Sequence, residues 1–281
     1  MNQDSRRALI SVDELSQYLA QPVKPVVLDV RWQLAGSTQY PAYLAGHLPG
    51  AQWCDLDADL ADPPGAGRGR HPLPDPGRLQ AAMRGWGISH ESEVVVYDGD
   101  SSVAAARAWW VLRWAGHQRV RVLDGGFAAW VRAGGPIQST VESVVAGTVI
   151  VKAGSLPTLG ADTAEAWARA GRLVDVRAPE RFRGEVEPMD PVAGHIPGAT
   201  NLPSTGNVLG SGQFLSVAAL RTRFAAVADR AGTEPIGVYC GSGVTAAHTV
   251  LAMHETGIDA ALYPGSWSEW ISDPRRPVAT G

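Results

Sequence analysis

The feature that most constrains this chain is that it repeats. Residues 28–31 read LDVR and residues 174–177 read VDVR; residues 45–51 read AGHLPGA and residues 193–199 read AGHIPGA. Residues 95–98 read VVYD against GVYC at 237–240, and residues 125–130 read GGFAAW against GSWSEW at 265–270. The matches keep their order, and every offset lies between 140 and 148 residues. Ordered self-similarity of this kind marks copies of one structural unit. A chain of 281 residues has room for two. The reading is two copies of one domain, residues 1–140 and 160–281, joined by a linker at 141–159.

Each copy alternates strand-like and helix-like stretches. VVLDV (26–30), LVDV (173–176), VVVY (94–97) and IGVY (236–239) are short apolar runs, as expected of strands buried on both faces. VDELSQYLA (12–20) and ADTAEAWARA (161–170) read as amphipathic helices at matching places. VTAAHTVLAMHETG (244–257) reads as a helix closed by Gly257. Strands alternating with helices imply an α/β fold: two tandem domains, each a mainly parallel sheet flanked by helices. Ligands of such sheets bind at the carboxyl ends of the strands.

Composition removes several function classes. A net charge of −4 offers no large basic surface, which argues against a nucleic-acid partner. No run of about 18 apolar residues occurs, so no membrane span is expected. The N-terminal apolar stretch is short and flanked by Asp4, Asp13 and Glu14, unlike a signal-peptide core. The expectation is a cytoplasmic protein and, because the chain supplies its own second domain, a monomer. The two cysteines, Cys54 and Cys240, are then expected to remain thiols.

Their surroundings differ. Cys240 follows the strand IGVY, and Gly241-Ser242-Gly243 separates it from the helix that begins near Val244. Backbone N–H groups of such a turn can converge on one atom, and the helix N-terminus adds partial positive charge. Both stabilise a thiolate, and would equally stabilise a terminal persulfide anion. Cys54, in QWCDLDADL, has no glycine turn beside it and reads as a bystander. The other half carries Asp98 where Cys240 stands, so the first domain lacks the thiol and is expected to be catalytically inactive. His47 and His195 occur in both copies, as do Asp29 with Arg31 and Asp175 with Arg177, which assigns them to the fold rather than to the chemistry.

The motifs LDVRW, YLAGHLPGA, DVRAPERFRG, GHIPGATNLPS, YCGSGVTA and GSWSEW together resemble the tandem-domain rhodanese family of sulfurtransferases over nearly the whole chain. The resemblance implies double displacement. The Cys240 thiolate takes sulfur from a small anionic donor and passes it to a thiophilic acceptor such as cyanide, a thiol or a thioredoxin-like reductant. It implies no metal or organic cofactor. By the same resemblance Arg181 holds the donor's anionic end, and Gly241, Gly243, Val244 and Thr245 of the CGSGVTA loop, with Trp267, contact the donor. Ser242, His71 and Asp57 match a proposed Ser-His-Asp relay of the mercaptopyruvate enzymes. Where those enzymes often carry a second arginine this chain has Met189, with Arg183 as a candidate replacement. The neutral Gly241-Ser242 pair favours 3-mercaptopyruvate, with thiosulfate as the alternative donor. The sequence disfavours two other functions. A cysteine phosphatase needs an arginine where this loop has Ala246. A non-enzymatic rhodanese-type module would not need an intact thiol loop.

Overall fold

The structure is a computed structural model that describes residues 7–34, 36–65 and 67–281. Part of the N-terminal reading, Asp4 included, falls on residues 1–6 and lies outside the described residues. The chain forms two compact units. One holds residues up to Asp62, Pro74–Leu156 and Leu209–Phe214; the other holds Pro63–Leu73, Pro157–Val208 and Leu215–Gly281.

In the first unit the elements run β1 (Leu9–Ile10), α1 (Val12–Leu19), β2 (Val26–Asp29), α2 (Tyr40–Ala45), β3 (Gln52–Trp53) and α3 (Leu56–Asp59). They continue with α4 (Pro76–Gly85), β4 (Val94–Tyr97), α5 (Val103–Trp114), β5 (Val120–Leu123) and α6 (Gly126–Arg132). The sheet order is β1-β5-β4-β2-β3, parallel throughout. All four residues of β4 are buried, as a strand covered by helices on both faces requires. Helix α1 starts at a capping box in which Ser11 and Glu14 satisfy each other's backbone N–H. Helix α5 is apolar on nearly every face and buries Trp109 and Trp110.

The second unit repeats the plan: α7 (Ala161–Arg169), β6 (Leu173–Asp175), α8 (Pro179–Phe182), β7 (Thr200–Asn201) and α9 (Val217–Ala231), then β8 (Ile236–Tyr239), α10 (Val244–Thr256), β9 (Ala260–Leu262) and α11 (Ser266–Trp270). Its sheet order is β7-β6-β8-β9, again parallel. A parallel bridge from Thr158 to Leu262 stands where β1 pairs with β5 in the first unit. The Gly257 expected to close α10 does so, at φ 81°.

The duplicated polar residues do the same work in each copy. Arg31 and Arg177 each fork onto the aspartate two residues earlier, at 2.6 and 2.7 Å, and donate to the carbonyls of Gly46 and Gly194, both at 2.7 Å. His47 and His195 each bond a backbone carbonyl, of Tyr43 and Phe182, and stack on that residue's ring. Trp130 and Trp270 each donate their indole N–H to a carbonyl a few residues on, of Pro136 and Pro277.

The compact units depart from the sequence halves at two places. Residues 63–73, read with the first half, pack in the second unit, and residues 209–214 pack in the first. The 141–159 segment is not a free tether either. Its backbone N–H groups at Gly147, Val149, Lys152 and Ser155 bond carbonyls of Arg84, Ile88, Ala115 and Trp114 in the first unit. No helix among the described residues is long and apolar enough to cross a membrane.

Candidate active site

Strand β8 is the centre of the second sheet, and its carboxyl end delivers Cys240 directly into the turn before α10. Gly243 starts that helix at φ 79°, where a Cβ would run into the carbonyl of Pro264, so only glycine fits. The Gly243 N–H donates to Cys240 Sγ at 3.1 Å. The loop is pinned from its other side. Cys240 N–H donates to Ser266 Oγ at 3.1 Å, while the carbonyls of Cys240 and Gly241 accept from Trp267 N–H at 3.0 Å and Ser268 N–H at 2.9 Å.

The first unit makes the same pair of bonds around Asp98. Its carbonyl and that of Gly99 accept from the N–H groups of Phe127 and Ala128, both at 2.8 Å. The loop there is one residue longer before its helix starts. The Asp98 carboxylate turns into the helix N-terminus and accepts from the N–H groups of Ser102, Ala104 and Ala105 at 2.9, 2.9 and 3.2 Å. The anion cradle of the first unit is therefore filled by the chain itself. Burial pushes Asp98 up to about 6 against the pull of those three donors.

Two guanidinium groups stand over the Cys240 loop. A Cβ built on Gly241 would lie 2.8 Å from Arg70 Nη2 and 3.7 Å from both Arg181 Nη1 and Arg181 Nη2. Arg181 projects from the short helix α8, and Arg70 from the 63–73 segment. Arg70 N–H donates to Ser268 Oγ at 3.1 Å, which ties that segment to α11. Next to it, His71 Nδ1 lies 2.7 Å from Ser242 Oγ, so Ser242 and His71 meet as the sequence reading expected.

Two carboxylates pair with the arginines. Asp190 bonds Arg70 through one oxygen and Arg181 through the other at 3.4 Å. Glu187 accepts from Arg181 Nε at 3.1 Å and from Arg177 Nη1 at 3.3 Å. Burial raises Asp190 although Arg70 opposes it; Glu187 ends below its ordinary value because hydrogen bonds from Arg181, Met189 and Asp190 outweigh its burial. Among the described residues no cluster of His, Cys, Asp and Glu is arranged to hold a metal ion.

Trp267, Val244 and Arg183 do not take the places expected of them. Trp267 is completely buried, with its indole N–H donated to Val192 at 2.9 Å and its ring 4.7 Å from the Arg177 guanidinium carbon. A side chain with no exposed surface cannot line a donor pocket, so that assignment is corrected. Phe127 covers Arg31 in the first unit in the same way, at 4.5 Å. Val244 is likewise buried at 2% exposure, whereas Thr245 beside it is partly exposed. Arg183 is exposed and forks onto Glu185, away from Asp190 and Glu187, so it does not replace the second arginine. Asp57 belongs to the first unit. It accepts from the Trp32 indole at 3.1 Å and lines a cavity of about 350 Å³ with Trp32, Gln33 and Thr38. Its neighbours are otherwise employed: Asp55 caps α3, and Asp59 accepts the Asp55 N–H. Arg70 was missed by the sequence reading, although its neighbour His71 was singled out.

A buried thiol at a strand end, cradled by backbone N–H and faced by two arginines, defines a cysteine-centred α/β protein that handles small anions. Comparisons narrow the class. The rhodanese-like domain model matches residues 11–133 and 160–273. The chain is 48% identical over 280 residues to a Mycobacterium tuberculosis protein named "Putative thiosulfate sulfurtransferase SseB", covering 98% of each chain. It is 44% identical over 286 residues to a Pseudomonas aeruginosa protein named "Probable 3-mercaptopyruvate sulfurtransferase", covering 99% of each. The crystal structure of SseA from Escherichia coli, a 3-mercaptopyruvate sulfurtransferase, matches with a TM-score of 0.81 at 30% identity, over 93% of this chain and 99% of that one. The chain belongs to the rhodanese family of sulfurtransferases.

Proposed function

We propose that the protein moves sulfane sulfur from a small anionic donor, with 3-mercaptopyruvate favoured and thiosulfate second, through a Cys240 persulfide to a thiophilic acceptor. The observation that carries this reading is the Cys240 loop, with Gly243 N–H on the sulfur and Arg70 and Arg181 beside Gly241. In the first half-reaction the thiolate attacks the donor sulfur. With 3-mercaptopyruvate the carbon–sulfur bond breaks and its electron pair leaves as the enolate of pyruvate. The proton that was on the donor thiol ends on that carbon, leaving a persulfide anion on Cys240. With thiosulfate the sulfur–sulfur bond breaks and sulfite leaves.

Arg70 Nη2 and Arg181 Nη1 face the loop and suit the donor's carboxylate or sulfonate oxygens. Ser242 Oγ, backed by His71, can donate to the oxygen that becomes the enolate. The persulfide anion keeps the Gly243 N–H until an acceptor takes the outer sulfur: cyanide leaves as thiocyanate, and a thiolate leaves as its own persulfide. The first unit contributes fold rather than transfer, since Asp98 fills its cradle.

The test is to incubate the protein with each donor and then with cyanide. Thiocyanate should form, and Cys240 should gain the mass of one sulfur atom before cyanide is added. If neither donor yields thiocyanate and Cys240 stays unmodified, the chain is a rhodanese-type module without this activity. Comparing kcat/KM for the two donors decides between them; a clear thiosulfate preference overturns the donor assignment.

A further inference from the structure

The two arginines beside Cys240 share a single carboxylate. Asp190 is held by Arg70 on one oxygen and by Arg181 on the other, with its side chain only 4% exposed. Among the described residues that carboxylate bonds no other donor. Glu187 takes Arg181 and Arg177, and Asp175 takes Arg177. Three guanidinium groups thus face three carboxylates, and the cluster is neutral before Cys240 ionises. The carboxylates hold Arg70 Nη1 and Arg181 Nε and Nη2, and Arg181 Nη2 stands as near the Gly241 Cβ position as Nη1 does, at 3.7 Å. Arg70 Nη2 and Arg181 Nη1, which face Gly241, have no hydrogen-bond partner among the described residues. Arg70 Nη2 and Arg181 Nη1 are therefore free beside the loop, while the charge of both guanidinium groups is cancelled.

We propose that Asp190 determines donor specificity: by neutralising charge on Arg70 and Arg181 it makes the Cys240 loop favour a monoanionic α-keto acid over a dianionic thiosulfonate. The inference rests on the sulfurtransferase reading above. Hydrogen bonds from Arg70 Nη2 and Arg181 Nη1 serve either donor. The second negative charge of a dianion needs net positive charge, which Asp190 removes. At the effective dielectric of a partly buried site, one uncompensated charge several ångströms away changes binding of one extra donor charge by about ten- to a hundredfold.

The experiment measures kcat/KM for thiosulfate and 3-mercaptopyruvate on the wild-type chain, Asp190→Asn and Asp190→Glu. Asparagine keeps the shape and one acceptor oxygen but drops the charge; glutamate keeps the charge. The thiosulfate-to-mercaptopyruvate ratio should rise about tenfold or more in Asp190→Asn, through a lower KM for thiosulfate, and the rise should shrink with added salt. In Asp190→Glu it should stay near the wild-type ratio. An unmoved ratio in Asp190→Asn, with both donors changed by one factor, overturns the inference and leaves Asp190 as a strut for the arginines.

A second measurement needs no variant. Pyruvate, a monoanion, should inhibit the wild-type chain competitively at lower concentration than sulfate, a dianion; the reverse order overturns the inference. If the wild-type chain turns over neither donor, the sulfurtransferase reading falls and takes this one with it. Normal turnover with an unmoved ratio defeats this inference alone.

Discussion

At one strand end the turn before the helix holds a sulfur, and at the equivalent strand end it holds a carboxylate. Both lie among backbone donors, yet only the thiol can be extended by a sulfur atom to a persulfide. Replacing Cys240 with alanine should abolish persulfide formation while leaving the melting temperature within a few degrees, because the side chain is small and the loop is held by Ser266, Trp267 and Ser268. Arg70→Ala and Arg181→Ala should each raise donor KM about tenfold with a smaller effect on kcat, as loss of an anion clamp does. Steady-state kinetics check this, and an unchanged KM removes that arginine from the clamp. Asp98 gives a pH signature. The native state keeps its proton up to about 6, whereas the ordinary carboxylate value is 3.8, so between those values the unfolded chain has already released a proton that the folded chain retains. Stability from this group is therefore lost as pH rises through that window, by on the order of 3 kcal/mol at most. Thermal melts from pH 4 to pH 6 should show wild type losing ground against Asp98→Asn; parallel curves would count against the shifted carboxyl.

Strands β4 and β8 and helix α10 were legible in the sequence because apolar runs and a closing glycine leave few alternatives. So was Cys240, because it is an exception within a repeat. The repeat misled at Trp267, where the mismatch with Phe127 read as a functional difference. Both rings in fact cover the arginine of their own Asp–Arg pair, at 4.5 Å for Phe127 and 4.7 Å for Trp267. Arg70 was illegible for the opposite reason. Its segment carries none of the repeated motifs, and only tertiary packing brings it to Gly241, where neither spacing nor composition leaves a mark. Two predictions belong to this scale. Gly243→Ala should destabilise the protein by about 1–3 kcal/mol and cut turnover, since it forces a left-handed residue against Pro264 and disturbs the N–H on the sulfur. Denaturant melts with donor kinetics on the same sample check both halves. Ser268→Ala should leave kcat close to normal yet raise donor KM, because it frees the Arg70 backbone from α11; equal KM values would show that the segment is held by its other contacts.

The α/β class and the duplication were plain from the sequence at the scale of the whole molecule, while the true membership of the units was not. Sequence halves are contiguous by definition, but residues 63–73 and 209–214 each pack in the unit of the other half. The expected consequence is that a chain starting at residue 157 keeps Cys240 and Arg181, lacks Arg70 and His71, and turns over donor about a hundredfold more slowly than the full chain, as loss of positioning groups implies. Circular dichroism on the same sample separates that deficit from failure to fold. The exchange also bears on ancestry. A duplicated gene can ordinarily discard, duplicate again or shuffle one copy, provided each copy stands alone. Here a break at the seam would strip each fragment of a segment only the other encodes, so the traded loops bind the two copies to a common inheritance although only one carries a cysteine at that strand end.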